Sequence, residues 1–377
     1  MIDIATISGP LIAFGLIGGI VLFVPILKQI LDIAPYMYTN AKVRALEAGL
    51  LKKEKLQSLT DTKDILECVS SLEDTDYGHC VSKISEPILP EKVDYALHGH
   101  LQTICAKVIR SVPADVAPAI MEFLRFWDAR NIIFSLRAVR ADIPIEERSL
   151  YSTSLGTLPA STIKSMLESK NIDEAVSQLE STDYGPVISA AMQDYKTSDS
   201  LLPLEVAIDK YVVEHLYSRL ASMGSSNLVV AMQLIGIKAD LMNLKTSIRC
   251  KKEGIDEKTI EGYIVNVSYN LTEDKLKNIA KADNIDEISN YLDGTPYSFL
   301  STLLSTHEEP GAMVKIERAL DDFYAQTAKG LSQRYPLGIA PALNLLVAKK
   351  KDIKELKAVV RMKAEGFTKE EIGGILE

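Results

Sequence analysis

Three stretches of the chain repeat one pattern of apolar and polar positions. They read LKKEKLQSLTDTKDILECVSSLEDTDY (51–77), LPASTIKSMLESKNIDEAVSQLESTDY (158–184) and LTEDKLKNIAKADNIDEISNYLDGTPY (271–297), and they align without a gap. Each opens on a leucine (Leu51, Leu158, Leu271) and closes on a tyrosine (Tyr77, Tyr184, Tyr297). Between these, Leu56/Ile163/Leu276, Leu59/Met166/Ile279, Ile65/Ile172/Ile285 and Leu72/Leu179/Leu292 stay apolar, and Glu67/Glu174/Glu287 stay acidic. The apolar spacing is that of amphipathic helices, and no convincing period-two run marks a strand. Each block therefore predicts two helices around a helix-breaking junction, with further helices beyond. The closing Thr-Asp-Tyr or Thr-Pro-Tyr suggests N-cap chemistry, because a threonine or aspartate oxygen can accept from the free N–H groups that open a helix.

A second block recurs further along: WDARNIIFSLR (127–137), ADLMNLKTSIR (239–249) and KDIKELKAVVR (351–361). Asp128, Asp240 and Asp352 follow one another at the same spacing, and Arg137, Arg249 and Arg361 lie nine residues after each. Asn131/Asn243/Glu355 and Ile132/Leu244/Leu356 keep the register, while Ile132, Leu136 and Val139 mark one helical stripe. Two blocks in three copies imply internal repetition. The expected fold is all-α, with three homologous helical repeats over 36–144, 145–257 and 258–377 after an N-terminal segment, 1–35.

Nine helical steps of about 100° put each Asp and its Arg on opposite sides of one helix, so the two cannot pair with each other. Each must meet a neighbouring helix, a helix end or solvent. One reading has the Asp capping or pairing across helices inside its own unit; the other has it making a repeated contact with a partner. The three tyrosines read as half-buried anchors with their hydroxyls at the surface. Three widely separated copies of one Asp do not converge on a catalytic pocket, so no catalytic residue is assigned.

Residues 4–27, IATISGPLIAFGLIGGIVLFVPIL, carry no charge. As a helix at about 1.5 Å per residue this run reaches across a hydrocarbon core of roughly 30 Å. Asp3 precedes it and Lys28, Lys42 and Arg44 follow it, which favours a cytoplasmic body. A cleaved signal peptide fits poorly, since no Lys or Arg precedes the apolar stretch. A membrane-inserted helix is the expectation, with a buried helix of a soluble core as the alternative.

Composition narrows the function. Of 377 residues, 47% are apolar and 25% charged, a globular balance. A formal charge of −9 argues against a general nucleic-acid role. Cys68, Cys80, Cys105 and Cys250 form no CxxC pair, and the five histidines supply no matching ligand set, so no metal site is expected. There is no GxxxxGK[ST], GxGxxG, GxSxG, HExxH or EF-hand loop, so neither a bound nucleotide nor another cofactor is expected.

YTNAKVRALEAGLL (38–51), LEDTDYG (72–78), FLRFWDARNIIFSLRA (123–138) and the threefold repeat resemble the C subunit of archaeal-type ATP synthases, equivalent to the d subunit of eukaryotic V-type ATPases. The resemblance runs from about residue 36 to the C-terminus. It implies a pseudo-threefold funnel of helical units that sits on the proteolipid rotor ring and receives the central-shaft subunits. Such a chain would be a non-catalytic connector, coupling ion flow to ATP synthesis or ATP hydrolysis to ion (proton or sodium) pumping at the cytoplasmic face of the membrane. The long apolar N-terminus departs from the family pattern and suggests an anchor, within the hole of the rotor ring. Two alternatives remain: a membrane-anchored helical-repeat adaptor unrelated to rotary ATPases, and an enzyme with a site where the repeats meet. Solenoid adaptors usually have units of about 30 to 50 residues, which counts against the first.

Overall fold

The computed structural model describes residues 23–376, apart from 25, 26, 29, 32, 149–154, 226 and 227. Every regular element among the described residues is a helix. Most of the expected N-terminal insertion, 4–27, lies outside the described residues. Of that run only Phe23, Val24 and Leu27 are described, and all three are exposed. None of the described helices is long and apolar enough to cross a membrane.

Each repeated block forms two short helices: Lys53–Thr60 with Ile65–Ser70, Ala160–Glu168 with Ile172–Ser177, and Glu273–Lys281 with Ile285–Leu292. The junction between them is a capping box. Asp64, Asn171 and Asn284 accept from the N–H of Glu67, Glu174 and Glu287 at 2.9, 2.8 and 3.0 Å. The three glutamates reach back to the N–H groups of Lys63, Lys170 and Asp283. The recurring acid thus satisfies donors that a helix start leaves free.

At the end of the block, the threonine acts differently from an N-cap. No side-chain cap bond is made at Tyr77, Tyr184 or Tyr297. Instead Thr75, Thr182 and Thr295 donate to the carbonyls of Leu72, Leu179 and Leu292, and accept from the tyrosine N–H two residues on. The hydroxyl folds the chain into a tight turn, competing with the backbone as short polar side chains do.

Long helices follow: Pro90–Ile109, Leu202–Met223 and Ala312–Arg334. The Asp-bearing helices are Arg125–Arg140, Val229–Lys252 and Ala340–Ala364. Each buries its apolar stripe against the block that comes next. Ile132, Leu136 and Val139 pack with Ile163, Met166 and Leu179. Leu244 and Ile248 pack with Leu276, Ile279 and Leu292. Ile353, Leu356 and Val360 belong to the cluster of Leu59, Val69 and Leu72, so the last of these helices returns to the first block. At roughly 1.5–3 kcal/mol per fully buried Leu or Ile, these clusters are the main source of cohesion. The helical stretch 33–47 joins the last of them through Tyr36 and Val43.

Candidate functional site

The recurring polar residues meet in the interior. Tyr184 donates its hydroxyl to Asp128 at 3.1 Å, Tyr297 to Asp240 at 2.7 Å and Tyr77 to Asp352 at 3.3 Å. The contacts run from the first Asp-bearing helix to the second block, from the second to the third block, and from the third back to the first block. Each Asp therefore pairs with the block that follows it, not inside its own unit. The tyrosines are fully buried rather than half-buried, with 0–1% exposure. A phenol can be buried this completely because its hydroxyl has found an acceptor inside.

The same carboxylates also hold the start of the next block. Leu158 N–H donates to Asp128 at 3.0 Å, Leu271 N–H to Asp240 at 3.3 Å and Leu51 N–H to Asp352 at 2.9 Å. One aspartate thus clamps both ends of a 27-residue block, its first N–H and its last side chain. Asp128 gains two more donors, the N–H and the hydroxyl of Thr157, at 2.8 and 2.6 Å. Gly156 precedes that threonine at φ +139°, where an added Cβ would lie 2.1 Å from an Asp128 oxygen. Asparagines one turn on in two of these helices tie the same connections, Asn131 to the Leu155 carbonyl and Asn243 to both backbone groups of Val265.

Burial raises the pKa of each carboxyl group, opposed by the donors around it. Asp352 has two donors and is pushed up to about 6. All three phenols are pushed above their usual range, first by burial and then by the adjacent carboxylate, so they stay protonated donors.

A second contact flanks each of two latches. Arg125, three residues before Asp128, pairs with Asp183 at 3.0 Å, immediately before Tyr184. Lys349, three residues before Asp352, pairs with Asp76 at 2.8 Å, immediately before Tyr77, and its ammonium lies 4.2 Å from the Tyr77 ring centre. The corresponding residues of the remaining copy are Ile237 and Pro296, so both partners lose their charge together. That paired change is visible when the three copies are aligned.

The three arginines behave unequally. Arg137 forms a two-pronged bridge to Glu205, both bonds at 2.6 Å, and Arg361 reaches Asp94 at 2.7 Å. Both acids lie on the long helix that follows the clamped block. Arg249 stays on its own helix with Glu253, and Lys245, one turn earlier, makes the bridge to Glu317 instead. As expected from their spacing, no Asp pairs with the Arg of its own helix. Sequence reasoning missed the acidic partners because each lies on a helix outside the repeated blocks.

All three Asp-bearing helices also border one cleft of about 120 Å³. Phe126, Lys238 and Lys350, each two residues before the recurring Asp, line it with Trp127, Asp321 and Tyr324. Sequence reasoning missed these residues too: Lys238 and Lys350 match, but the third equivalent position is Phe126, so they do not stand out as a threefold set. Among the described residues no cluster of His, Cys, Asp and Glu is arranged to hold a metal ion.

The family model described as ATP synthase (C/AC39) subunit matches residues 39–375. The chain belongs to that family. Among its relatives, the A-type ATP synthase C subunit of Methanocaldococcus jannaschii is 30% identical over 353 residues, covering 93% of this chain and 88% of the relative. The proteins of the same name from Methanothermobacter thermautotrophicus and Methanobrevibacter smithii are 28% and 29% identical, covering 97% and 96% of this chain and 94% and 92% of the relatives. The stretch matched by the (C/AC39) family begins at Thr39 and takes in all three Tyr–Asp latches.

Proposed function

We propose that this chain is a non-catalytic central-stalk connector of a rotary A/V-type ATP synthase or ATPase, seated between the membrane rotor ring and the central shaft. The observation that carries the reading is the cyclic order of the Tyr–Asp latches. A coupler must pass torque without yielding, and a linear array of helical units would open at its ends under load. The Tyr77–Asp352 latch joins the two ends of this array, 275 residues apart. Three homologous units linked in this order make a pseudo-threefold funnel, with the cleft of Phe126, Lys238 and Lys350 at its axis. Membership of the family supports the assignment, and the named relatives are subunits of an A-type ATP synthase.

In this reading the chain's residues perform no bond chemistry. They hold geometry: buried latches resist shear between units, and the ion pairs around them resist rotation of one helix against the next. The body stands at the cytoplasmic face of the membrane. The uncharged run 4–27 anchors it by inserting into the membrane, within the hole of the rotor ring. The coupling ion is selected by the ring and not by this chain.

A bridging assay tests the proposal. Purified shaft subunits should be retained on immobilised proteolipid ring only when this chain is added. Retention without it, or no retention in its presence, contradicts the connector role. For the anchor, a chain lacking residues 1–30 should be released from membranes by an alkaline wash that leaves the full chain bound.

A further inference from the structure

The cleft has an apolar floor and a rim of lysines. Phe123, Leu234, Leu343 and Leu346, all buried, line its base. Lys238 stands one turn after Leu234, and Lys350 one turn after Leu346, so each lysine shares the helix face that its leucine turns into the cleft. The two Leu–Lys pairs occupy equivalent positions in the second and third repeats, where the first repeat has Glu122 and Phe126. At about 120 Å³ the recess is close in size to cavities of about 150 Å³ that take up one benzene ring.

The rim carries more positive charge than its acids neutralise. Lys354 pairs with Asp321 and Lys351 with Asp322 at 2.7 Å, while Lys238 and Lys350 have no carboxylate within ion-pair distance among the described residues. Asp209 and Asp321 act on both only at longer range. Each lysine instead faces an aromatic ring: Lys238 lies 5.3 Å from the centre of Tyr324, and Lys350 lies 5.8 Å from Trp127 and 6.0 Å from Phe126. Lys350 is exposed and Lys238 is half-buried, so both ammonium groups are open to a ligand entering the cleft. Enclosure by the cleft walls, then Lys238 and Arg130, push Lys350 down to about 8, and enclosure lowers Lys238 as well. Crowded cations in a low-dielectric recess attract an anion more strongly than the same charges on an open face.

An inorganic anion would leave the apolar floor unused, and a neutral apolar molecule would leave both ammonium groups uncompensated. We infer that the cleft binds a small anionic amphiphile, a short alkyl or aryl carboxylate or phosphate, with its acidic head between Lys238 and Lys350 and its apolar body against Phe123, Leu234, Leu343 and Leu346. Apolar walls with a few polar groups that fix orientation are the usual make-up of a small-molecule site. The site is complete within one chain, and so is independent of the connector role.

Trp127 is the chain's single tryptophan and lines the cleft, so its fluorescence reports occupancy. The full-length chain is titrated with hexanoate, hexyl phosphate, 1-hexanol, hexylammonium and acetate. Hexanoate or hexyl phosphate should give a saturable change, at an affinity at least tenfold above that for 1-hexanol, hexylammonium or acetate. Lys238→Gln/Lys350→Gln should lose at least tenfold in affinity for the acid and leave 1-hexanol binding unchanged. Lys53→Gln, at an exposed lysine outside the cleft, should bind as wild type does. Thermal unfolding verifies that each variant folds, and the wild-type titrations are decisive even where one does not. No saturable change with either acid, or a preference below tenfold over the alcohol, the amine or acetate, would overturn the inference. So would wild-type affinity for the acid in the folded double variant.

Discussion

The hydroxyl of Tyr77 donates to Asp352 across 275 residues of sequence, joining the first repeated block to the last long helix. The same carboxylate takes the Leu51 N–H at 2.9 Å, so one side chain fixes both ends of that block. Tyr77→Phe leaves Asp352 with one donor, whereas Tyr184→Phe leaves Asp128 with three. Both should destabilise the chain by about 1–3 kcal/mol, with Tyr77→Phe the more costly. Amide hydrogen exchange locates the effect: Tyr77→Phe should speed exchange over 53–70 and leave 160–177 unchanged. Equal acceleration of both regions would deny that the latches act locally.

Asp352 sets a pH dependence of definite sign. Its folded-state pKa, about 6, lies above the ordinary 3.8, so between these values the folded chain holds more protons than the unfolded chain. Its contribution to stability is fully present below pH 3.8 and is lost as pH rises through 6. Asp352→Asn mimics the protonated form and does not titrate. Chemical denaturation from about pH 4 to about pH 7 should show wild-type stability falling relative to this variant as pH rises. A constant difference would contradict the raised pKa.

His98 works in the opposite direction. Burial, with Arg130 and Lys357 nearby, lowers its pKa to about 2 from 6.5. The unfolded chain then binds the extra proton, so this group's contribution is present above pH 6.5 and diminishes as pH falls. His98→Gln should be less acid-sensitive than wild type from about pH 6.5 down to about pH 4, measured by the same denaturation series.

Lys349 is buried completely, between the Gly49 carbonyl, Asp76 and the face of Tyr77. Lys349→Met keeps most of the stem volume and removes the ammonium. The Gly49 carbonyl then lacks its donor, at a cost of about 1–3 kcal/mol. Asp76 is partly exposed and keeps His100 at 3.0 Å, so it adds less. Adding Asp76→Asn should recover part of the loss, as expected for two groups in contact. Purely additive effects in the double-mutant cycle would deny the pairing.

Gly156 sits where a methyl group would collide with Asp128, in backbone that favours glycine. Gly156→Ala should cost about 1–3 kcal/mol and lower the melting temperature. An unchanged melting temperature would show that the Thr157 turn has room to move.

Much of this architecture is legible in the sequence because repetition does the work of an alignment. The matched Leu and Tyr at the ends of each block mark the two groups that each Asp clamps, and the matched Glu marks the capping box. What the sequence hid is direction. Nothing in the spacing of Asp128 and Tyr184 says that the partner lies in the following block, because apolar stripes on amphipathic helices do not name the surface they meet. Reading the tyrosines as half-buried follows the habit of phenols, and a carboxylate waiting inside reverses that habit. The cleft escapes notice for a different reason: of the three equivalent positions Lys238 and Lys350 match while the first is Phe126, so repetition offers only a partial signal there.

The connector role is tested most directly by tagging the C-terminus, solubilising membranes in mild detergent and identifying the proteins recovered with the chain by mass spectrometry. The account predicts the proteolipid ring together with the shaft and nucleotide-binding head subunits. Recovery of none of these, with the rotary complex intact in the unbound fraction, would contradict it.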